Sequence, residues 1–586
     1  MTKNKKFLVT TAIEETWEIN NPILFLGEWC KLYSRKDYWS ILDTEVLEYH
    51  WDNQERLYSD YSYLCALQDH ILYDLTNKLN EIHSVDHSIL YWRILIGPWL
   101  GYMVQAIFDR WSGIKNAINK YDITGTIILE QNEKEFIPQN IIHFCQMIEG
   151  DRWNHYIYSL IIKNIDKVQV TYKNYKNNIN KGFDDKIITG IKNRVINLYS
   201  LISSRFVGDN DIFIIEPYIS AYNNIKLQIN FRQIPQLWNN VNLKPLKLLT
   251  PNREWSLPSN SNNDFEDFLY KLIPNQIPQV YLEGYSQIID QINHKKFPKS
   301  PKIIFTSASL WNHELIKGYV ADKVEKGTPL VYGQHGGVYG LALFSWAEEH
   351  ERCISNKYLS WGWTDEKKIN KEEVIAIGLL KKIYKRKNPN YKYKDLLLIL
   401  PSESRYSSRL SSGSSGKLNN ILDSIKFADA LKDSDVYENL LVRTYVCEYG
   451  WSEKQRLQDT HPNIRINNDK ISFWKLVKKS KLVVFPYNST GYLELFSANI
   501  PTIIFWNRNS NRLRSSAMPF FTNLKRVGIY HETPESAAMH IIKIWNEVQT
   551  WWESHEVKDV LNEFINNYCN QPDDLVTPLQ KVLIDN

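Results

Sequence analysis

From about residue 300 the apolar positions fall into short unbroken runs separated by stretches of helical period. KIIFTSAS leads into HELIKGYVADKVEKG, and PLVYGQHGG and KYLSWGW follow. DLLLILPSES, a helix near 418–433, NLLVRTYV, a helix near 471–479, KLVVFPYNST, a further helix and IPTIIFW complete the series. Strand, crossover helix, strand in this succession predicts a parallel α/β sheet. Residues 1 to about 300 follow a mainly helical pattern, with KFLVTT as a first strand. Polar stretches at 173–186 and 258–267 read as loops or exposed helix ends, and no repeat of fixed period appears.

Residues 89–108, ILYWRILIGPWLGYMVQAIF, are almost long and apolar enough to cross a bilayer. Arg93 and the Gly97-Pro98 break favour a buried helix pair, with contact at a membrane surface as the second reading. The basic spacer KKIYKRKNPNYKYK (381–394) reads as a linker. It divides the chain into an N-terminal domain over 1–385, a compact α/β domain over 390–570 and a tail or helix over 571–586.

Composition narrows the function classes. A chain of 586 residues exceeds what one hydrophobic core supports. Its 70 basic and 66 acidic side chains nearly balance, which argues against a dedicated nucleic-acid binder. The six cysteines are scattered, with no CxxC and no metal-ligand spacing, so they read as reduced core thiols. The basic N-terminus lacks the apolar run of a signal peptide. His83 and His87 have one-face helical spacing but no HExxH, and no metal site is expected.

Four stretches carry candidate chemistry. In LVYGQHGGVYG (330–340) a strand ends in Gly333, Gln334, His335, Gly336 and Gly337. Glycine permits close approach, and histidine moves protons near neutral pH. The alternative is a buried histidine in a tight turn. In KLVVFPYNSTGYLELFSANIPTIIFW a strand runs into Asn488, Ser489, Thr490 and Gly491 at a helix start, where free N–H groups and the helix dipole suit a phosphate. Glu494, one turn on, can accept from a ribose hydroxyl; the alternative is a simple N-cap with Glu494 on a solvated face. In NLLVRTYVCEYGW a strand ends at Arg443 and Tyr445, and arginine's fork matches phosphate. His461-Pro462 reads as a helix stop. The loop from Ser402 to Arg405, after DLLLIL, is either phosphate- or sugar-facing or a solvated tip. At the N-terminus Thr10, Thr11, Glu14, Glu15 and Trp17 follow the first strand; the carboxylates suit general-base work or, alternatively, a helix N-terminus. Asp109-Arg110 in FDRW reads as a structural ion pair.

Together TAIEETWEINNPILFLGEWC, ILYWRILIGPWL, FDRW, GQHGG, SWGW, VRTY with EYGW, YNSTGYLELFSANIPTIIFW and GIYHETPESAA resemble the surface-polysaccharide transferases of bacterial O-antigen and capsule gene clusters. The resemblance runs over nearly the whole chain. It implies a GT-B-like α/β fold, two Rossmann-like domains facing a cleft, with large helical additions on the acceptor-side domain. It also implies kinship with transferases of CMP-activated ulosonic acids, of the Kdo and pseudaminic acid type. The expected donor is then a CMP-linked sugar, with no other cofactor and no metal. The expected acceptor is an oligosaccharide or lipid-linked glycan, met in the cytoplasm or at the cytoplasmic face of the inner membrane.

In that reading Ser489, Thr490 and Arg443 hold the nucleotide phosphate, helped by Asn488, Gly491, Glu494, Tyr445 and Ser402. Arg405 meets the donor carboxylate. His335, flanked by Gln334, Gly336 and Gly337, faces them as acid, base or anion holder. Glu14 and Glu15 are further catalytic candidates, and Thr10, Thr11 and Trp17 are acceptor contacts. Transfer from an NDP-hexose or a CDP-polyol, and a non-catalytic scaffold role in polysaccharide assembly, remain the alternatives.

Overall fold

Apolar runs of three to six residues form strands that cannot bury both faces alone, and here they collect into three parallel sheets. The computed structural model describes residues 4–175, 198–200, 202–238, 243, 253–258, 263–383, 393–401, 403–410, 414–445, 447–467, 471–507 and 512–585. The first sheet contains β1 (Lys5–Val9), β2 (Ile23–Phe25), β3 (Thr44–Val46), β4 (Asp122–Glu130) and β5 (Val170–Asn174), in the order β3-β2-β1-β4-β5. The second contains β6 (Phe213–Ile215), β7 (Ile304–Thr306), β8 (Leu330–Gly333), β9 (Lys357–Ser360) and β10 (Glu373–Ala376), in sequential order. The third contains β11 (Asp395–Ile399), β12 (Leu440–Arg443), β13 (Arg465–Asn467), β14 (Ser480–Phe485), β15 (Thr502–Phe505) and β16 (Tyr530–His531), in the order β13-β12-β11-β14-β15-β16. Residues Leu396–Ile399 and Leu482–Phe485 are buried without alternation, as expected of strands covered on both faces.

The second and third sheets are the two facing Rossmann-like units expected from the sequence. The first sheet is a correction, because most of residues 1–300 was read as helical. Its β2 and β3 are three residues each, ILF and TEV, too short to show a strand period. In the first and third sheets the strand order reverses, between β1 and β4 and between β11 and β14. Crevices beyond the carboxyl ends of strands at such reversals are where open parallel sheets bind ligands. The helix Val576–Ile584 returns to the second sheet, burying Leu579 and Leu583 with Ile214, Phe305, Val331 and Leu359.

The segment expected as a broken helix pair is one helix, Ile89–Lys120, with Pro98 inside it. Nearly every residue from Tyr91 to Gly113 is buried, and packing on all sides outweighs the hydrogen bond that proline cannot donate. Gly97 and Gly101 are needed there for another reason. A Cβ on Gly97 would lie 2.6 Å from His350 Cε1, and one on Gly101 would lie 1.7 Å from Trp346 Cζ2. The two glycines, one turn apart, let the helix Trp346–Ile354 press directly onto Ile89–Lys120. No helix among the described residues is long and apolar enough to cross a membrane.

The core commits several histidines to the neutral form. His155, buried at 2% exposure, accepts the Leu129 N–H through Nε2 at 3.0 Å, and burial pushes its pKa down to about 4. An unfolded histidine protonates near 6.5. Between pH 6.5 and 4 the unfolded chain therefore binds the proton that the folded chain refuses, and stability falls with pH by ~1.4 kcal/mol per unit for this group. In His155→Gln, whose amide oxygen replaces the acceptor, thermal denaturation across pH 7 to 4 is expected to show a shallower acid decline than the parent. An unchanged slope would remove His155 from the acid response.

Candidate active site

The loop after β8 meets the helix start after β14. The Gly337 N–H donates to Thr490 Oγ1 at 2.9 Å, across 153 residues of sequence. A Cβ on Gly337 would lie 2.6 Å from Thr490 Cα, so the contact requires glycine. Ser489 precedes the helix Thr490–Ser497, and no side chain caps it. Asn488 accepts from Tyr492, and Gly491 is a packing glycine under the Phe485 ring. The two units are joined again by the bridge Ala342–Leu513, and Arg514 donates to both oxygens of the buried Glu348 at 2.8 Å.

His335 lies at this junction with a quarter of its side chain exposed. Burial, partly opposed by a hydrogen bond with the Ser307 backbone and aided by the charge of Arg409, brings its pKa to about 4. Its Nδ1 is 3.5 Å from Glu351, which is fully buried. Burial holds the Glu351 carboxyl well above the carboxylate range, although Trp311 Nε1 at 2.9 Å and the Tyr339 and Tyr358 hydroxyls donate to it. Burial thus disfavours the charged form of both groups. The glycine-mediated packing of Trp346–Ile354 is what delivers Glu351 there.

The loop after β11 enters at the reversal point of the third sheet, and it divides its arginines. Arg405 is not a donor ligand in this arrangement: it donates to the Trp29 carbonyl and to Asp151 at 2.5 Å, tying the third unit to the first. Asp151 also accepts from the Tyr406 hydroxyl at 2.5 Å and from the Ala12 N–H at 3.2 Å. Arg110, fully buried, bonds Asn154 and Asp109 at 2.8 Å, Ile148 O at 3.4 Å and the Ser407 carbonyl. The expected Asp109–Arg110 ion pair is therefore present and holds the loop as well. Arg409, four residues beyond Arg405, is the cation whose charge reaches His335, Tyr102 and Tyr339. Glu403 stands 3.6 Å from the buried Lys417, which donates to Ser404 O at 2.8 Å. Tyr102, Glu149, His335, Glu403, Arg409 and Tyr487 are each half-buried; the Arg409 charge reaches Tyr102 and His335, and that of Glu403 reaches Tyr487.

Other expected residues sit elsewhere. Glu14 forms a two-pronged pair with Arg35, 2.7 and 2.8 Å, at the surface, and Glu15 is exposed. A carboxylate already held by a guanidinium is a poor base, so the pair is structural. Trp17 is buried against Phe25 and Tyr38, its indole donating to the Thr11 carbonyl; Thr10 likewise accepts from Trp29. Neither threonine nor Trp17 presents a platform to a ligand. Gln334 is 1% exposed, and its oxygen accepts from the Trp361 N–H and the Trp363 indole, both 2.9 Å. Its amide group donates to the Gly336 carbonyl, so Gln334 shapes the loop rather than meeting a donor. Glu494 accepts from Lys381 at 2.7 Å and is buried, not solvated. Arg443, half-buried, lies over Phe473, whereas Tyr445 is exposed. Ser402 lies outside the described residues, as does most of the 381–394 spacer. His83 contacts the Tyr281 carbonyl and His87 contacts Glu325, so the two do not converge, and no metal-binding group occurs among the described residues. His461 ends the helix Glu453–Thr460, bonded to Tyr437, as its helix-stop reading required.

Glu351, Arg409, Glu149 and Lys417 were not singled out in the sequence. Glu351 lies in WAEEHER, which reads as a solvated helix face, and Arg409 lies in a serine-rich run that reads as a flexible tip.

No curated protein matches the chain. Loose backbone similarity extends to several solved structures, three of which follow. The wall teichoic acid polymerase TagF covers 67% of this chain and 93% of its own, at 10% identity and a TM-score of 0.28. MnaA of S. aureus, solved with UDP, covers 61% of this chain and 92% of its own, at 13% identity and 0.34. MurG of Acinetobacter baumannii covers 53% of this chain and 80% of its own, at 11% identity and 0.30. The model described as LIC12162 family transferase matches residues 6–583, nearly end to end, and the protein belongs to that transferase family.

Proposed function

We propose that the protein is a glycosyltransferase that moves a sugar from a nucleotide donor, a CMP-activated ulosonic or nonulosonic acid of the Kdo or pseudaminic type, to a capsule or O-antigen glycan. The observation that carries this reading is the Gly337–Thr490 contact, which brings the His335 loop and an uncapped helix start from two separate sheets to one point. Transfer from a nucleotide sugar needs positive potential at the leaving phosphate, an oriented acceptor hydroxyl and exclusion of water.

The phosphate sits at the first turn of Thr490–Ser497, where main-chain N–H groups and the helix dipole favour an anion. Arg443, at the end of β12 and separated from β14 by β11, supplies a second positive charge. Arg409 takes the place expected for Arg405 and meets the donor carboxylate, the feature that separates an ulosonic acid from a hexose. His335 donates a hydrogen bond to the donor anion. An anion beside it offsets the Arg409 charge and raises the imidazole pKa from about 4, so donor binding itself prepares the proton. The acceptor is an oligosaccharide or lipid-linked glycan, met at the cytoplasmic face of the inner membrane.

CMP at a hundredfold excess over its Kd is expected to add ~2.7 kcal/mol of stability to the ligand-free protein and to raise the melting temperature more than UDP does. A donor panel resolved by mass spectrometry should yield product from CMP-ulosonic acids and none from UDP-hexoses or CDP-ribitol; the reverse pattern would refute the donor assignment. His335→Ala should lose about 100-fold or more in turnover at unchanged melting temperature. In Gly337→Ala the added methyl meets Thr490 backbone. Its stability should drop by ~1–3 kcal/mol and its kcat at least about tenfold, because the two sheet ends can no longer close to contact.

A further inference from the structure

Two buried carboxyls stand one turn apart on the helix Trp346–Ile354, and their surroundings differ. Glu348 is answered by arginines: Arg514 donates to both of its oxygens at 2.8 Å and Arg352 to one at 3.3 Å. Glu351 is met by neutral donors from three other elements. The Trp311 indole at 2.9 Å and the Tyr339 hydroxyl at 3.2 Å donate to Oε1, and the Tyr358 hydroxyl at 3.3 Å donates to Oε2. Its one ion-pair partner among the described residues is His335, whose Nδ1 lies 3.5 Å from Oε1. A carboxyl removed from water is costly unless its oxygens and its charge are both answered.

His335 is incomplete in the matching place. Its Nδ1 is buried and has no hydrogen-bond partner, so the exposed quarter of the side chain belongs to its other atoms. The groups facing the imidazole are Glu351, the Ser307 backbone, the Arg409 charge and the Tyr339 ring, edge-on at 5.6 Å. Besides its three donors, Glu351 faces Glu348, Tyr332 and Tyr102. The gap between Oε1 and Nδ1 exceeds a formed N–H···O bond by about 0.5 Å, and catalytic hydrogen bonds commonly tighten to that length only around a substrate.

We propose that Glu351 is the positioning residue of His335: it shares one proton with Nδ1 and so keeps Nε2–H as the donor for the anion of the activated sugar. The assignment rests on the glycosyl-transfer reading above. With the shared proton on the carboxyl, its O–H donates to Nδ1; with that proton on the ring, the carboxylate accepts from Nδ1–H. The net charge is the same in both forms, and in both the other ring proton stays on Nε2. A glutamine cannot do this. Trp311 and Tyr339 both donate to the Oε1 position, so the amide oxygen takes that place and only accepts. A neutral imidazole then carries its proton on Nδ1 and presents a bare Nε2.

NMR of protein selectively labelled with 15N-histidine reads the ring protons without any substrate, the His335 signals being assigned by their loss in His335→Ala. The parent should carry a proton on Nε2; a bare Nε2 would overturn the proposal. Glu351→Gln should move the proton to Nδ1 and lower kcat about 100-fold, as much as removing the imidazole. In the His335→Ala background the same change should cost less than about threefold more, a non-additivity that a merely structural residue would not show. Glu351→Gln with Nε2 still protonated, or with kcat within about threefold of a working parent, would overturn the assignment and leave glycosyl transfer standing. So would a further loss of about tenfold in the His335→Ala background, because the damage would then bypass the imidazole. Should Glu351→Gln show no melting transition, the equally shortened pair Glu351→Asp and Glu351→Asn replaces it: the acid should hold Nε2–H and turn over faster than the amide, and equal turnover would overturn the assignment. A parent that makes no product from any activated sugar would sink the transfer reading and the catalytic use of the pair with it; the substrate-free spectrum separates that failure from a failure of the pair itself.

Discussion

One buried guanidinium organises the centre of this protein. Arg110 is removed from water in a helix of the first unit, and a buried arginine is tolerable only if its N–H groups are bonded. Its partners are the side chains of Asp109 and Asn154 and the main-chain carbonyls of Ile148 and Ser407. Asp151, one turn along, repeats the device with a carboxylate, accepting from Ala12, Arg405 and Tyr406. Because removing one member of such a set strands a buried charge at a cost of roughly 3–5 kcal/mol, the loop at 403–410 is held where both sets are satisfied. That position is the reversal point of the third sheet, and it fixes where Arg409, Glu403 and Lys417 stand.

The opposite wall is placed by an absence of side chains. Gly97 and Gly101 let the Trp346–Ile354 helix approach the long central helix, and Gly337 lets the β8 loop touch the start of Thr490–Ser497. These approaches set Glu351 behind His335 and His335 near the Arg409 charge. The imidazole is neutral because it is buried and faces a cation, not because of its sequence neighbours. An anion beside it offsets only the Arg409 share of the depression; burial, the larger cause, remains. Burial likewise raises the Glu149 carboxyl, whereas Glu14 is paired with Arg35 at the surface.

Legibility was uneven for physical reasons. Strands β7, β8, β9, β11, β12, β14 and β15 were visible because period and apolar run length are local properties, whereas the half-exposed β10 was not. The first sheet was not, since β2 and β3 are too short for a period to register. Pro98 misled because its rule describes exposed helices, and the helix around it is buried on all sides. Among the candidate residues, His335, Thr490 and the glycines beside them could be singled out because loop chemistry is written in residue type, and the structure brings their two loops into contact. Gln334, Arg405 and Trp17 have the right chemistry but spend it on their own backbone and on neighbouring units.

By itself the chain determined an α/β protein with a glycine-flanked histidine at one strand end and a hydroxyl-rich helix start at another, because strand, helix and turn preferences act over a few residues. Only the tertiary structure decided which polar groups answer one another. Arg405 or Arg409, Glu14 or Glu149 are equivalent as residue types. Burial and partners hundreds of residues away, as in Arg110 with Ser407 or Arg405 with Trp29, give residues of one type different roles.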